Sequence, residues 1–119
     1  MAALVTGIRA RAPKARIVIL NLPNLAGMPY AAGYSVEDRR ALQQIAVGMN
    51  AQINTMTGQG ATIVDLMCDS RVYSPTIFSS DGFHPNDTGY ALFADLVYAA
   101  AAAPSATAPK STCSAMSLY

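Results

Sequence analysis

The sequence is poor in the residues on which metal and redox chemistry depend. It contains no tryptophan, one histidine and two cysteines among 119 residues. Cys68 and Cys113 lack the paired Cys or His spacing of a zinc site and are too few for a disulfide framework. They are predicted to form one optional disulfide or to stay as inert thiols, which leaves the redox compartment open. No cofactor and no metal site is indicated.

Charge and long apolar runs are also scarce. Eight Lys and Arg residues against seven Asp and Glu residues give a net charge of +1, so the basic surface typical of nucleic-acid binding is missing. The longest apolar run, 96–103, is far shorter than the roughly 20 residues of a membrane span. At the amino terminus the basic residues follow the apolar ones, the reverse of a secretory signal. We expect no nucleic-acid partner and no membrane span, and the location of the protein is left unknown.

Hydrophobic residues make up 52% of the chain and charged residues 13%, enough for one compact core and, at this length, for one domain at most. Their periodicity predicts a helix, a strand, a helix, a strand and a helix. The first strand is a β-branched run that should be buried on both faces. The elements are a helix up to Arg11, a strand over 16–23, a helix capped by Ser35, a strand over 61–66, and a helix through Phe93, Leu96, Val97 and Ala100.

The long middle helix carries an apolar stripe at helical spacing. This stripe is predicted to face the core, with its two methionines as core filling rather than as a binding surface. The segment over 23–34, which holds two prolines and two glycines without periodicity, is predicted to be a long surface loop. The residues of the stripe are Leu42, Ile45, Met49, Ile53 and Met56.

The order of elements predicts part of a doubly wound α/β sheet, with a right-handed βαβ crossover between two parallel strands. Two strands alone leave both sheet edges unpaired, which invites pairing with another chain. Residues 1–103 are assigned to this domain, and the chain is expected to begin inside a helix. Residues 104–119, which are rich in Ala, Pro, Ser and Thr, are predicted to form a flexible tail.

The segment 80–90 carries the most informative chemistry. It contains the only histidine, His84, three residues after Asp81, between the second strand and the last helix. Gly82 makes a tight turn easy, so the carboxylate could fix the tautomer and orientation of the imidazole. Pro85 restricts the backbone at His84, and the residues that follow can cap the helix. Loops at the carboxyl ends of parallel strands are where ligands bind in such sheets. By spacing alone, an ordinary hydrogen-bonded loop histidine is the more frequent case.

Asp-x-x-His-Pro-Asn, followed by a glycine, Tyr90 and an apolar helix, is similar to the last motif of the SGNH (GDSL) serine ester hydrolases. With lower specificity, the preceding helices and strands extend the resemblance over nearly all of residues 1–103. The resemblance implies a flavodoxin-like three-layer αβα sandwich, of which this chain has the carboxyl-terminal portion. It also implies hydrolysis of a small-molecule carboxylic ester, with His84 as general base and then general acid, and Asp81 as its orienting carboxylate.

The rest of that family's machinery is missing from this sequence. Family members open with a Gly-Asp-Ser nucleophile motif and supply a glycine and an asparagine for the oxyanion hole, and none of these stands in its place here. A weak echo occurs at Cys68-Asp69-Ser70, where Ser70 could serve as a substitute nucleophile, although Asp and Ser are ordinary turn residues. Tyr30, Tyr34 and Tyr73 lie in loops that could flank an acyl pocket.

Three hypotheses follow from this combination of features. The first and favoured one is a truncated or split esterase or lipase that contributes Asp81 and His84 to a Ser-His-Asp triad completed by a missing amino-terminal half. The second is a small hydrolase that uses Ser70 or a second copy of the chain to complete its site and sheet. The third is a non-catalytic interaction module in which the same loop only caps a helix.

Overall fold

The computed structural model describes all 119 residues and contains three helices and two strands. The helices are α1 (Ala2–Arg11), α2 (Val36–Asn54) and α3 (Asp87–Ala102), and the strands are β1 (Val18–Leu20) and β2 (Thr62–Val64). The order of elements is the predicted one, while both strands are shorter than their apolar runs. The chain therefore has a small α/β fold.

The two strands form a parallel sheet whose connection is helix α2. Ile19 lies opposite Ile63 in the register, and Thr62 N donates to Ile17 O at 2.9 Å. The predicted parallel βαβ unit is confirmed. The outer edge of β2 is occupied, because Ile63 N donates to Thr107 O at 3.1 Å. No strand pairs with the outer edge of β1.

Helices cover both faces of this sheet. On one face α1 and α2 pack over Ile17 and Ile63, together with Met56 of the turn that follows α2. On the opposite face α3 packs through its predicted apolar residues against Val18 and Val64. The α3 stripe of Phe93, Leu96, Val97 and Ala100 is therefore confirmed as a packing face. Two strands with helices on both faces are compatible with a doubly wound fold.

The prediction that β1 is buried on both faces is wrong. Val18 and Ile19 are only partly buried, and Leu20 is 36% exposed. The physical reason is that β1 lies at the bare edge of the sheet, where no neighbouring strand covers its outer side.

Helix α2 begins as predicted but packs on a different face. The Ser35 side chain accepts a hydrogen bond from Asp38 N at 3.1 Å and caps the helix. The residues of α2 that are buried are Gln43, Ala46, Asn50 and Ile53, whereas Ile45 and Met49 are 52% and 50% exposed.

The predicted α2 stripe is therefore wrong for Ile45 and Met49. The side-chain amides of Gln43 and Asn50 lie on the buried face instead, because they satisfy backbone groups of other segments. Leu22 N donates to Asn50 Oδ1 at 2.8 Å, and Asn50 Nδ2 donates to Leu22 O at 2.7 Å. Of the two methionines assigned to the core, Met56 is buried and Met49 is not.

Residues 104–119 lie against the body of the protein. They run along the outer edge of β2, where Lys110 N donates to Asp65 Oδ2 at 2.9 Å, and they end beside α2. Cys113 forms a disulfide with Cys68, which decides between the two predicted states of the cysteines. The flexibility predicted for this segment stays a prediction about its motion. None of the helices combines the length and the apolar character that a bilayer crossing demands.

Candidate active site

The site lies in a closed loop between β2 and α3. Phe78 and Pro85 form an isolated antiparallel bridge. On either side of it Ser79 N donates to His84 O at 2.8 Å, and Asn86 N donates to Ile77 O at 2.9 Å. These bonds close the loop at its base, so residues 79–84 form a short hairpin.

Asp81 and His84 meet inside this hairpin. His84 Nδ1 lies 2.6 Å from Asp81 Oδ2, while Asp81 Oδ1 accepts from the backbone N–H groups of Phe83 and His84, each at 2.9 Å. One carboxylate therefore both shapes the turn and holds the imidazole. All three hydrogen bonds of the Asp81 carboxylate lie within four consecutive residues.

The hydrogen bonds keep the Asp81 carboxyl ionised. The bond from the His84 side chain, followed by those from the backbone N–H groups of Phe83 and His84, lowers the pKa of Asp81 from its ordinary value of 3.8 to about 2. An ionised carboxylate can only accept hydrogen bonds. The proton of a neutral His84 imidazole must therefore sit on Nδ1, which leaves Nε2 free to accept another one.

Gly82 is required by the shape of the loop. Its φ is +68°, which is the left-handed region that glycine enters without strain. Its carbonyl accepts from Tyr30 N at 3.1 Å, and a Cβ on Gly82 would lie 2.7 Å from that same nitrogen. The loop over 23–34 thus packs against the turn from outside. The sequence gives no indication of this contact between Tyr30 and Gly82 apart from the glycine itself.

Asn86 fixes the other end of the loop to α3. Its Oδ1 accepts from Gly89 N at 3.1 Å as the helix cap, and its Nδ2 donates to Thr76 O at 2.9 Å and to Phe78 O at 3.0 Å. The predicted capping is confirmed, and the two further bonds were not predicted because they involve residues up to ten positions away. A Cβ on Gly89 would clash with Ile77 O, so α3 can approach Ile77 this closely only with glycine there.

Aromatic rings line one side of His84. The rings of Phe83 and His84 meet edge to face with centroids 5.0 Å apart, and Tyr30 meets Phe83 in the same way at 5.1 Å. Tyr34 extends the row beyond Tyr30, at 5.8 Å. Such pairs favour a fixed ring orientation. Tyr73, in contrast, lies elsewhere: its hydroxyl donates to Met67 O at 2.7 Å and accepts from Asn24 N at 2.8 Å.

The far side of the imidazole is open to solvent. The His84 side chain is 68% exposed and the Asp81 side chain 49%, and the hydrogen bond to Asp81 is the one that the His84 ring makes within the chain. No serine hydroxyl of the chain donates to Nε2. The arrangement can therefore accept and return a proton, and within this chain no hydroxyl is bonded to it.

Ser70, the candidate substitute nucleophile, is not brought to His84. It begins a short 3₁₀ turn over Ser70–Tyr73 that Asp69 caps by accepting from Arg71 N at 3.0 Å. Ser70 lines a cavity beside the Cys68–Cys113 disulfide. Asp69 is engaged by the Arg71 side chain at 2.6 Å, and this bond lowers the pKa of Asp69. No group of three or more His, Cys, Asp or Glu side chains is placed to bind a metal.

Comparison with known proteins identifies a family for most of the chain. The model of the GDSL-like Lipase/Acylhydrolase family matches residues 1–92, a stretch that includes both strands and the hairpin with Asp81 and His84. Searches among curated proteins and among solved structures find no significant match. The family match covers more than half of the chain and agrees with the resemblance that the segment after β2 suggested. The chain belongs to the GDSL-like lipase/acylhydrolase family.

Proposed function

We propose that this chain supplies the acid–base half of a carboxylic ester hydrolase. His84 and Asp81 are two members of a Ser-His-Asp triad, and the serine nucleophile comes from a separate polypeptide segment. Membership of a lipase/acylhydrolase family suggests hydrolysis of acyl esters as the class of chemistry. The substrate is a small-molecule ester.

The observation that carries the proposal is the 2.6 Å contact between His84 Nδ1 and Asp81 Oδ2, together with the exposed far side of the ring. An incoming serine hydroxyl would donate its proton to Nε2 while its oxygen attacks the ester carbonyl. The imidazolium would then return the proton to the leaving alcohol. Asp81 acts by holding the ring orientation and tautomer through both steps, and it stays ionised.

The bare edge of β1 supports a missing partner segment. A strand added at this edge would extend the two-stranded sheet and place its own carboxyl end beside the ends of β1 and β2. Loops at those ends form the functional edge of a doubly wound sheet. A nucleophile and oxyanion donors carried on such loops would approach the hairpin from the β1 side and complete a three-layer αβα sandwich.

Reconstitution tests this proposal directly. The chain is mixed with an amino-terminal segment of a GDSL-family protein that carries the Gly-Asp-Ser motif, and hydrolysis of a short-chain nitrophenyl ester is measured. We expect little activity from the chain alone, because a site without nucleophile and oxyanion hole lacks its largest catalytic term. The mixture should be active, and His84→Ala should abolish that activity.

The matched control is Thr88→Ala, which changes an exposed residue in the first turn of α3 without touching the hairpin contacts. It should leave the reconstituted activity unchanged. Activity of the mixture that survives His84→Ala would refute the role of His84. Labelling of the isolated chain by a fluorophosphonate probe at Ser70 would instead favour a self-contained hydrolase with that serine as nucleophile.

A further inference from the structure

We propose that Asn24, Arg39 and Gln43 form a binding groove for a short peptide segment in a 3₁₀ turn, that residues 115–119 of the chain itself occupy it, and that the Cys68–Cys113 disulfide controls this occupancy. The ligand class is a peptide in which an aliphatic residue is followed by a tyrosine. The groove is separate from the Asp81–His84 hairpin, and its occupancy can be measured without any assay of ester hydrolysis.

Two buried side-chain amides recognise the backbone of the bound segment. Asn24 is fully buried and Gln43 is 7% exposed. Asn24 Nδ2 donates to Ala115 O at 2.7 Å, and Gln43 Oε1 accepts from Leu118 N at 2.8 Å. Gln43 Nε2 donates to the main-chain oxygen of Tyr119 at 2.8 Å.

The two amides are also joined to each other, because Asn24 Nδ2 donates to Gln43 Oε1 at 3.0 Å. Asn24 Oδ1 accepts from Ala26 N at 3.0 Å, which leaves the remaining donors and acceptors of the pair directed at the peptide. Ser114–Ser117 form a 3₁₀ turn that Leu118 continues in a helical conformation, and contacts to main-chain atoms give affinity for this backbone whatever its side chains. The pair thus recognises the backbone groups of the segment.

The last two residues of the segment fill side-chain positions of the groove. Leu118 lies over Gly27, where a Cβ would come within 3.0 Å of the Leu118 Cδ1 atom. The Tyr119 hydroxyl accepts from Arg39 Nη1 at 2.6 Å, and the Arg39 guanidinium carbon lies 5.3 Å from the centre of the Tyr119 ring. These contacts select an aliphatic side chain followed by a tyrosine.

A single covalent bond ties this occupant to the body beside the groove. Cys113 lies two residues before Ala115 and is bonded to Cys68, which follows β2. Both cysteines line a cavity of about 260 Å³ that also touches Gly27, Tyr73 and Leu118. The tether holds the segment at a high effective concentration over the groove, and a reductant can reach the sulfur atoms through the cavity.

A dithiol is the class of reductant that would open the tether. Its thiolate attacks one sulfur of the disulfide to form a mixed disulfide and release one cysteine thiolate, which takes a proton. The second thiol of the reductant then attacks the mixed disulfide and releases the other cysteine. Two electrons and two protons end on Cys68 and Cys113, and the dithiol leaves as its own disulfide.

Amide hydrogen exchange of the full chain measures occupancy. The N–H groups of Leu118 and Tyr119, which Gln43 Oε1 accepts, should be protected in the oxidised protein. Reduction with dithiothreitol should raise their exchange rates at least about tenfold. The N–H groups of Asn21 and Thr62, which lie between the strands, should keep their protection and show that the fold persists.

A peptide with the sequence of residues 114–119, which contains no cysteine, then tests the groove in trans. Labelled peptide should bind the Cys113→Ser protein and bind the oxidised wild type at least about tenfold more weakly, since the tethered segment competes. Gln43→Ala in the Cys113→Ser background should abolish binding, whereas Gln44→Ala, a change at the exposed neighbour, should not.

Arg39→Gln, which removes the contacts to Tyr119 without emptying the core, should weaken peptide binding even if Gln43→Ala proves unstable. Unchanged exchange of Leu118 and Tyr119 on reduction would overturn the control by the disulfide. Peptide binding that is equal in the Cys113→Ser protein and in its Arg39→Gln and Gln44→Ala derivatives would overturn the groove.

Discussion

The Asp81–His84 hairpin and the groove that holds residues 115–119 are built in opposite ways. In the hairpin, the hydrogen bonds of Asp81 reach two or three residues along the chain, and both side chains are exposed. In the groove, the hydrogen bonds that join Gln43 to the bound segment span 75 or 76 residues and are made by a buried amide. A local motif can form its geometry before the rest of the protein folds, whereas the groove exists only once distant segments have met.

The largest expected effect concerns the local pair. Asp81→Asn keeps an oxygen for the backbone N–H groups of Phe83 and His84 but turns an N–H group toward His84 Nδ1. The imidazole must then carry its proton on Nε2 and cannot accept one from a serine. We expect kcat/KM for nitrophenyl ester hydrolysis by the reconstituted enzyme to fall by about 10³- to 10⁴-fold. A loss of less than tenfold would show that the Asp81 carboxylate is not needed for ester hydrolysis.

The second effect tests the distant region. Cys68 and Cys113 are 45 residues apart in sequence, so replacing both with serine removes the closure of a long loop in the unfolded chain. The chain-entropy account gives a loss of about 3–4 kcal/mol in the free energy of unfolding. Urea denaturation of the variant and of the oxidised wild type measures this difference. Equal midpoints would mean that residues 104–119 contribute little to the stability of the body.

The third effect concerns the loop over 23–34, which contacts both the hairpin and the groove. Gly82→Ala adds a Cβ that would lie 2.7 Å from Tyr30 N, at a φ of +68°. We expect a loss of about 2 kcal/mol in the free energy of unfolding, measured by thermal denaturation. Gly48→Ala is the matched control, since nothing lies within 4 Å of its Cβ and its position inside α2 predicts a gain of roughly 0.5–1 kcal/mol. Similar shifts in both variants would contradict this close contact.

The smallest effect is the titration of Asp81. Its pKa of about 2 in the folded chain is below its value in an unfolded chain, about 3.9. The carboxylate therefore favours the folded hairpin above pH 4, and this contribution is lost as the pH falls through about 2. The carboxyl carbon shift of Asp81 in NMR spectra should titrate near pH 2, and its midpoint should rise in His84→Ala. A midpoint that does not move in that variant would argue against the hydrogen bond from His84.

Sequence reasoning succeeded where neighbours along the chain determine structure. The Ser35 cap, the five elements, the α3 stripe and the capping by Asn86 all depend on residues within a few positions of each other. The short reach of Asp81 toward His84 belongs to the same class. Such features follow from helical and turn geometry, which hold whatever the tertiary context.

The failures all involve contacts between distant segments. The prediction of the buried face of α2 was wrong because Gln43 and Asn50 satisfy backbone groups up to 76 residues away. A pattern of hydrophobic residues does not reveal such contacts. The pairing of Cys68 with Cys113 was left open for the same reason, as was the path of residues 104–119 along β2. Leu20 is exposed because no strand pairs with the outer edge of β1, and the apolar run of β1 alone does not reveal its place at the edge of the sheet.

The bond from Ile63 N to Thr107 O closes one border of the sheet and leaves the other available. A molecule with one available border can gain a single neighbour through strand pairing, after which no further site remains on either partner. Self-association by this route would stop at a closed pair, whereas a sheet open on both sides could grow into a fibre. Residues 104–119 thus cover a border at which another chain could otherwise pair with β2.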